Sequence, residues 1–244
     1  MKQIEISHLS FSYGQHGSKI ILQDIDFQGS NNESIGLIGA NGVGKSTLLK
    51  LMVGLELGYE GELKIEGTPV KKETLAEIRA KTGYVFQDSE SQLFMPTVYE
   101  DVAFAPRNYG MKPEEVEKRT MKALTDTHIE NLKDKHIYRL SGGEKKLVSI
   151  ATILSMDPSI ILLDEPSVAL DPKNRRNLIH VLNELNGLKI IASHDLDFIY
   201  DTCERTILLG DGKIIKDGDT KEILTNQEML ESCGLELPLS LIRR

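Results

Sequence analysis

Cysteine is scarce in this chain, and the two present, Cys203 and Cys233, form no CxxC pair. That excludes a disulfide framework and a thiolate zinc site, fits a reducing compartment, and leaves both thiols as packing residues. Long apolar runs are missing too: no uninterrupted stretch approaches the roughly 18 residues that cross a bilayer, so any membrane role must be peripheral. The opening MKQIEISHLS lacks a basic segment followed by an apolar run; no secretory signal is expected, and the cytoplasm is the default compartment. Surplus positive charge is absent as well. A formal charge of −8 and a pI near 5.4 give no overall attraction to a polyphosphate, so no nucleic-acid partner is expected. The six histidines show no HxxxH or HxH spacing, which gives a structural metal site little support. What remains is an ordinary globular composition, 40% hydrophobic and 27% charged, in a length that suits one large domain or one core with a subdomain.

From Lys2 to Asp26 the pattern alternates around turn residues, with IEISHLSFSY and KIILQDIDF as strands of an antiparallel sheet. SIGLIG then enters a glycine-rich loop followed by TLLKLMVGL, whose leucines recur at helical spacing. GELKIEG and TGYVFQD read as further strands, and Pro106 to Ser155 as helix-rich. Two strongly apolar strands, SIILL before Asp164 and KIIAS before His194, have the look of parallel strands buried on both faces. DGKIIKDG reads as a hairpin-like finish with Asp-Gly turn signals at Asp211 and Asp217. Without an internal repeat, low-complexity segment or linker, the expectation is one α/β domain over 1–244. It carries a helical insertion at about 94–155 and a short, partly helical tail over 218–244.

Three constellations carry chemistry. Gly39, Ala40, Asn41, Gly42, Val43, Gly44, Lys45 and Ser46 fit GxxxxGK[ST], placed after a strand and at a helix start, with Thr47 next in line. Glycines let backbone N–H groups curl around phosphates, the helix amino terminus adds positive potential, Lys45 reaches the terminal phosphates, and Ser46 offers a hydroxyl to Mg²⁺. Asp164 and Glu165 are adjacent carboxylates ending a buried strand, at the edge that faces the phosphates in a P-loop fold. Two such neighbours repel, which points to a cation between them and the phosphates; Asp164 is expected to hold Mg²⁺ and Glu165 to orient or deprotonate the attacking water. Ser141 and Glu144 make a capping box for KKLVSIATIL, yet Gly142 and Gly143 each cost a helix about 1 kcal/mol relative to alanine. Bare N–H groups at a helix tip admit an anion closely, so Ser141, Gly142 and Gly143 read as a second phosphate-contacting surface.

With a P-loop, an LSGGE signature and an LLDEP strand in this order, the chain resembles the ATP-binding cassette (ABC) ATPases over nearly its whole length. That resemblance implies a P-loop NTPase (RecA-like) α/β core with an antiparallel β-subdomain and a helical insertion, acting on ATP with Mg²⁺. It also implies a head-to-tail dimer with a second ABC ATPase subunit, identical or related, in which the signature of one subunit closes over ATP held by the other. By the same resemblance Tyr13 matches the aromatic that stacks on adenine. Gln87 matches the Q-loop glutamine at the metal and attacking water, Ser167 to Asp171 the D-loop, and His194 the switch histidine at the γ-phosphate. Three residues depart from the usual pattern: Glu144 for glutamine, Leu147 where arginine is common, and Ala169 where glycine is frequent.

The segment from Asp88 to Pro106 is similar to the ATPases of energy-coupling factor importers, including the cobalt and nickel type. That likeness implies integral membrane subunits as partners and peripheral attachment at the cytoplasmic face of the membrane. Leu93, Phe94, Met95 and Pro96 either form a groove for a helix of the membrane subunit or pack the insertion's own core. A soluble ABC ATPase of iron–sulfur cluster assembly, or of another non-transport ABC system, is the alternative function, separable by its partners.

Overall fold

The computed structural model describes residues 2–14 and 19–242. Its elements run in the order β1 (Lys2–Ser12), β2 (Ile20–Ser30), β3 (Ser34–Ile38), α1 (Lys45–Met52), β4 (Glu60–Ile65), β5 (Thr68–Pro69), α2 (Leu75–Lys81), β6 (Thr82–Val85), α3 (Val98–Asn108), α4 (Pro113–Asp126), α5 (Gly142–Leu154), β7 (Ile160–Asp164), α6 (Pro172–Glu184), β8 (Leu188–Ala192), α7 (Leu196–Thr202), β9 (Arg205–Gly210), β10 (Lys213–Asp219), α8 (Thr220–Leu224) and α9 (Gln227–Ser232).

Two sheets form. One is antiparallel and four-stranded, in the order β2-β1-β4-β5; the other is six-stranded, β10-β9-β3-β8-β7-β6, parallel except for β10. The parallel strands are mostly apolar because both faces are covered, and side-chain alternation divides them between two cores. In β7, Ile160 and Leu162 join Ile4, Leu22 and Leu49 of the antiparallel sheet and α1. Ile161 and Leu163 of the same strand join Val148 of α5, Leu178 of α6 and Phe198 of α7. β7 is thus held from two directions, and its last residue, Asp164, sits at the carboxyl edge, where ligands of open α/β sheets bind.

Helices α3, α4 and α5 lie between β6 and β7 in the chain and pack on one another. The first of them starts at Val98, earlier than the Pro106 expected from the sequence. A capping box made by Thr97 and Glu100 nucleates it, and Pro106 is absorbed inside the helix. The two Asp-Gly signals also part ways. Asp211 and Gly212 have φ of 47° and 75° and turn β9 into β10, whereas Asp217 is a strand residue paired with Ile207 and bonded to Arg205. Both cysteines pack against the core, Cys203 buried and Cys233 partly so. Residues 243–244 of the expected tail lie outside the described residues. In its described part, the N–H groups of Leu239 and Ser240 are both accepted by Asp197 of α7. No helix among the described residues is long and apolar enough to cross a membrane.

Candidate functional site

The loop from Gly39 to Gly44 joins β3 to α1, and its glycines are required by geometry. Gly39 has φ of 151° and a Cβ there would meet the Leu209 carbonyl at 2.5 Å, while Gly44 caps α1 with φ of 112°. Lys45 is buried and folds back over the loop, donating to the Gly39 carbonyl at 2.7 Å and to that of Ala40 at 3.2 Å. Burial pulls its ammonium below the ordinary lysine value, against the opposing attraction of Glu165 and Asp164. Ser46, the next residue, donates its hydroxyl to Asp164 Oδ1 at 2.8 Å. The loop after β3 and the carboxyl end of β7 therefore meet atom to atom.

Sequence reasoning missed a third participant. Tyr84 of β6 donates its hydroxyl to Asp164 Oδ2 at 3.0 Å, so both carboxylate oxygens are occupied. Burial, followed by the charge of Asp164, holds that phenol well above the ordinary tyrosine value and keeps it a donor. The signal was weak: a tyrosine inside the TGYVFQ strand reads as a sheet aromatic.

Glu165 stands one residue beyond the strand with φ of 47°, a left-handed conformation that costs a non-glycine residue on the order of 1 kcal/mol. The turn aims its nearly buried side chain at the end of β8, where Oε2 accepts from Ser193 Oγ at 3.3 Å, His194 N at 3.2 Å and His194 Nδ1 at 2.8 Å. Oε1 takes no partner among the described residues and is left to water. Ser193 was not anticipated; it is wholly buried and also accepts from Asp195 N at 3.1 Å.

Tyr13 is half-exposed, packs edge-on against Phe11 at 5.0 Å between centroids, and has its hydroxyl 3.2 Å from Thr47 Oγ1. That contact places it at the start of α1. Gln87, two residues past β6, is exposed, and its backbone carbonyl rather than its side chain is bonded, to Lys146.

The signature is a helix tip. Ser141 caps α5, accepting from Glu144 N at 3.2 Å while Glu144 accepts from Ser141 N at 2.8 Å. Its two glycines differ. A Cβ on Gly142 would meet nothing within 4 Å, whereas one on Gly143 would lie 2.2 Å from Asn174 Cγ of α6. Close packing on α6 therefore accounts for Gly143, and open approach is a property of Gly142. With Gln87, Val168 and Ala169, Gly142 borders a cavity separate from the glycine loop. Ala169 has φ of 61°, which explains why glycine suits that position. The one cluster of three metal-capable side chains among the described residues is His8, Asp24 and Asp26. It is exposed on the antiparallel sheet, where a His8–Asp24 contact of 2.9 Å accounts for it as an ion pair.

A strand–glycine loop–helix unit whose lysine and serine converge on an acidic strand end defines a P-loop nucleotide hydrolase. Residues 22–168 match the ABC transporter family model, and the chain belongs to that family as an ATP-binding, ATP-hydrolysing subunit. It is 49% identical over 220 residues to an ABC transporter ATP-binding protein of Geobacter sulfurreducens, covering 90% of this chain and 88% of that one. It is 41% identical over 240 residues to the energy-coupling factor transporter ATP-binding protein EcfA of Methanocaldococcus jannaschii, covering 96% and 85%. The solved structure of CbiO1 from Clostridium perfringens, part of the ABC transporter complex CbiONQ, superposes with a TM-score of 0.85 at 34% identity, covering 97% of this chain and 96% of that one.

Proposed function

We propose that this chain is the motor of an energy-coupling factor importer, bound peripherally at the cytoplasmic face of the membrane, with a cobalt ion, another metal ion or a vitamin as cargo. The observation that carries the reading is the convergence at one sheet edge of Lys45, the Ser46–Asp164 contact and the Glu165–His194 pair. Lys45, which already spans the glycine loop, turns from the Gly39 and Ala40 carbonyls to the terminal phosphates of ATP. Tyr13, beside Thr47, offers its ring to adenine, and the N–H groups from Gly39 to Thr47 hold the phosphates. The oxygens of Ser46, Asp164 and Gln87 suit Mg²⁺, a hard cation, and when bound it neutralises phosphate charge. Glu165 keeps Oε1 free to take the proton of the attacking water, while His194, anchored through Nδ1, directs its opposite ring edge toward the γ-phosphate.

A second ABC ATPase subunit, identical or related, completes the site. Its Ser141, Gly142 and Gly143 close over the nucleotide, and the open space around Gly142 supports that role. The membrane subunits dock at a cleft lined by Phe94, Met95, Pro96 and Tyr138; Leu93 belongs to the insertion's core, but Phe94 and Tyr138 are 63% and 71% exposed. Glu165→Gln should lower ATP turnover by about 10²–10⁴ with nucleotide binding retained. Unchanged turnover removes Glu165 from the mechanism. Isolation of the chain from detergent-solubilised membranes should bring down an integral subunit; soluble iron–sulfur assembly proteins instead would overturn the transport reading.

A further inference from the structure

The segment joining β6 to the first helix of the insertion carries Gln87, yet its backbone is held from α5. Lys146 of α5, 3% exposed, donates Nζ to the Phe86 carbonyl at 3.0 Å and to the Gln87 carbonyl at 2.8 Å. Gln92 grips the same segment from the other side. Its Oε1 accepts from Phe86 N at 3.2 Å, and its Nε2 donates to the Ser149 carbonyl at 2.7 Å and Thr152 Oγ1 at 2.9 Å, both on α5. Lys145 adds an ion pair to Glu90. Every polar backbone group of Phe86, and the carbonyl of Gln87, is therefore satisfied by a side chain of α5 or by Gln92, which is itself tied to α5.

We propose that Lys146 is a positioning residue which, with Gln92, makes the Phe86–Gln87 backbone part of the signature helix, so that Gln87 moves with the helix tip at Ser141 and Gly142. The inference deepens the reading above and rests on Gln87 acting in hydrolysis. Lys146 lies five residues from Ser141, about 7.5 Å along a rigid helix, so a displacement of the tip cannot be absorbed between the two. Contact of the tip with a nucleotide on the opposite subunit is then felt at Gln87 of the same chain. Lys146 touches no reacting atom; it acts through the carbonyls it holds. The charges facing it, Asp88 and Asp164, keep the ammonium directed toward this corner, although burial depresses its affinity for the proton.

The test uses the full-length chain with Mg²⁺ and ATP. Lys146→Met keeps the length of the side chain and strands two carbonyls, so kcat should fall about ten-fold or more while KM for ATP stays within about two-fold. Hydrogen exchange at the amides of Gln87 and Asp88 should accelerate. Lys146→Arg, which retains donors, should restore kcat. In a Gln87→Ala background the Lys146→Met change should add nothing further. If Gln87→Ala alone leaves kcat unchanged, the role of Gln87 fails. If Gln87→Ala lowers kcat but Lys146→Met does not, or if the two losses multiply, the positioning role of Lys146 fails. Should Lys146→Met not fold, Gln92→Leu tests the same grip by the same readouts.

Discussion

Removing the Tyr84 hydroxyl is the sharpest perturbation of the acidic strand end. Tyr84→Phe preserves the ring and its edge-on contact with Phe86, at 4.8 Å between centroids, so little packing is lost. What disappears is one donor, at 3.0 Å, to a carboxylate that is 5% exposed and whose only other side-chain donor among the described residues is Ser46. A hydrogen bond to a charged group contributes about 1.5–3 kcal/mol, and Asp164 Oδ2 is too enclosed to recover it fully from water. At neutral pH the nucleotide-free protein should therefore lose about 1.5–3 kcal/mol, or about 3–12 °C in Tm for a chain of this size. Urea unfolding reads the free energy and calorimetry the temperature. With Mg²⁺ and ATP present the difference should narrow, because a cation held at Asp164 would itself stabilise the carboxylate. A loss under about 0.5 kcal/mol, the range of an ordinary surface change, would refute the account of Tyr84 as a necessary donor.

Four further outcomes follow from other contacts. Lys45→Ala should abolish tight ATP binding in a calorimetric titration while leaving the fold intact, since the loop glycines and not the lysine set its shape. Gly142→Ala should leave stability unchanged or raise it by up to about 1 kcal/mol yet depress ATPase activity, because the space around it is open. Gly143→Ala should instead destabilise by about 1–3 kcal/mol through its clash with Asn174, as measured by denaturant unfolding. His8 is bonded to Asp24 and titrates above the ordinary histidine value, so this pair supports the fold below about pH 6.5 and ceases to as pH rises through the raised value. An NMR titration should show Asp24→Asn returning His8 toward its ordinary value.

The parallel sheet was legible because burial on both faces forces continuous apolar strands, as in SIILL and KIIAS. The glycine loop was legible because its spacing has few other uses. Asp217 misled because Asp-Gly signals a turn only where no partner strand lies opposite, and the pairing with Ile207 is a tertiary fact. Nothing in the local pattern marks Lys146 or Gln92; their function depends on the Phe86 backbone arriving between them, which no periodicity reports. Gly143 likewise owes its identity to Asn174, a residue brought to it by α6.

The Ser46–Asp164 contact makes the resting site self-contained. A divalent ion arriving alone must displace that hydroxyl from the carboxylate and shed tightly held water, so it exchanges satisfied partners for equivalent ones and gains little. Arriving together with a triphosphate, it brings oxygens that Lys45 and the loop amides can grip as well. Appreciable affinity for magnesium should consequently emerge only alongside nucleotide, and the apoprotein should remain indifferent to the metal across its physiological range.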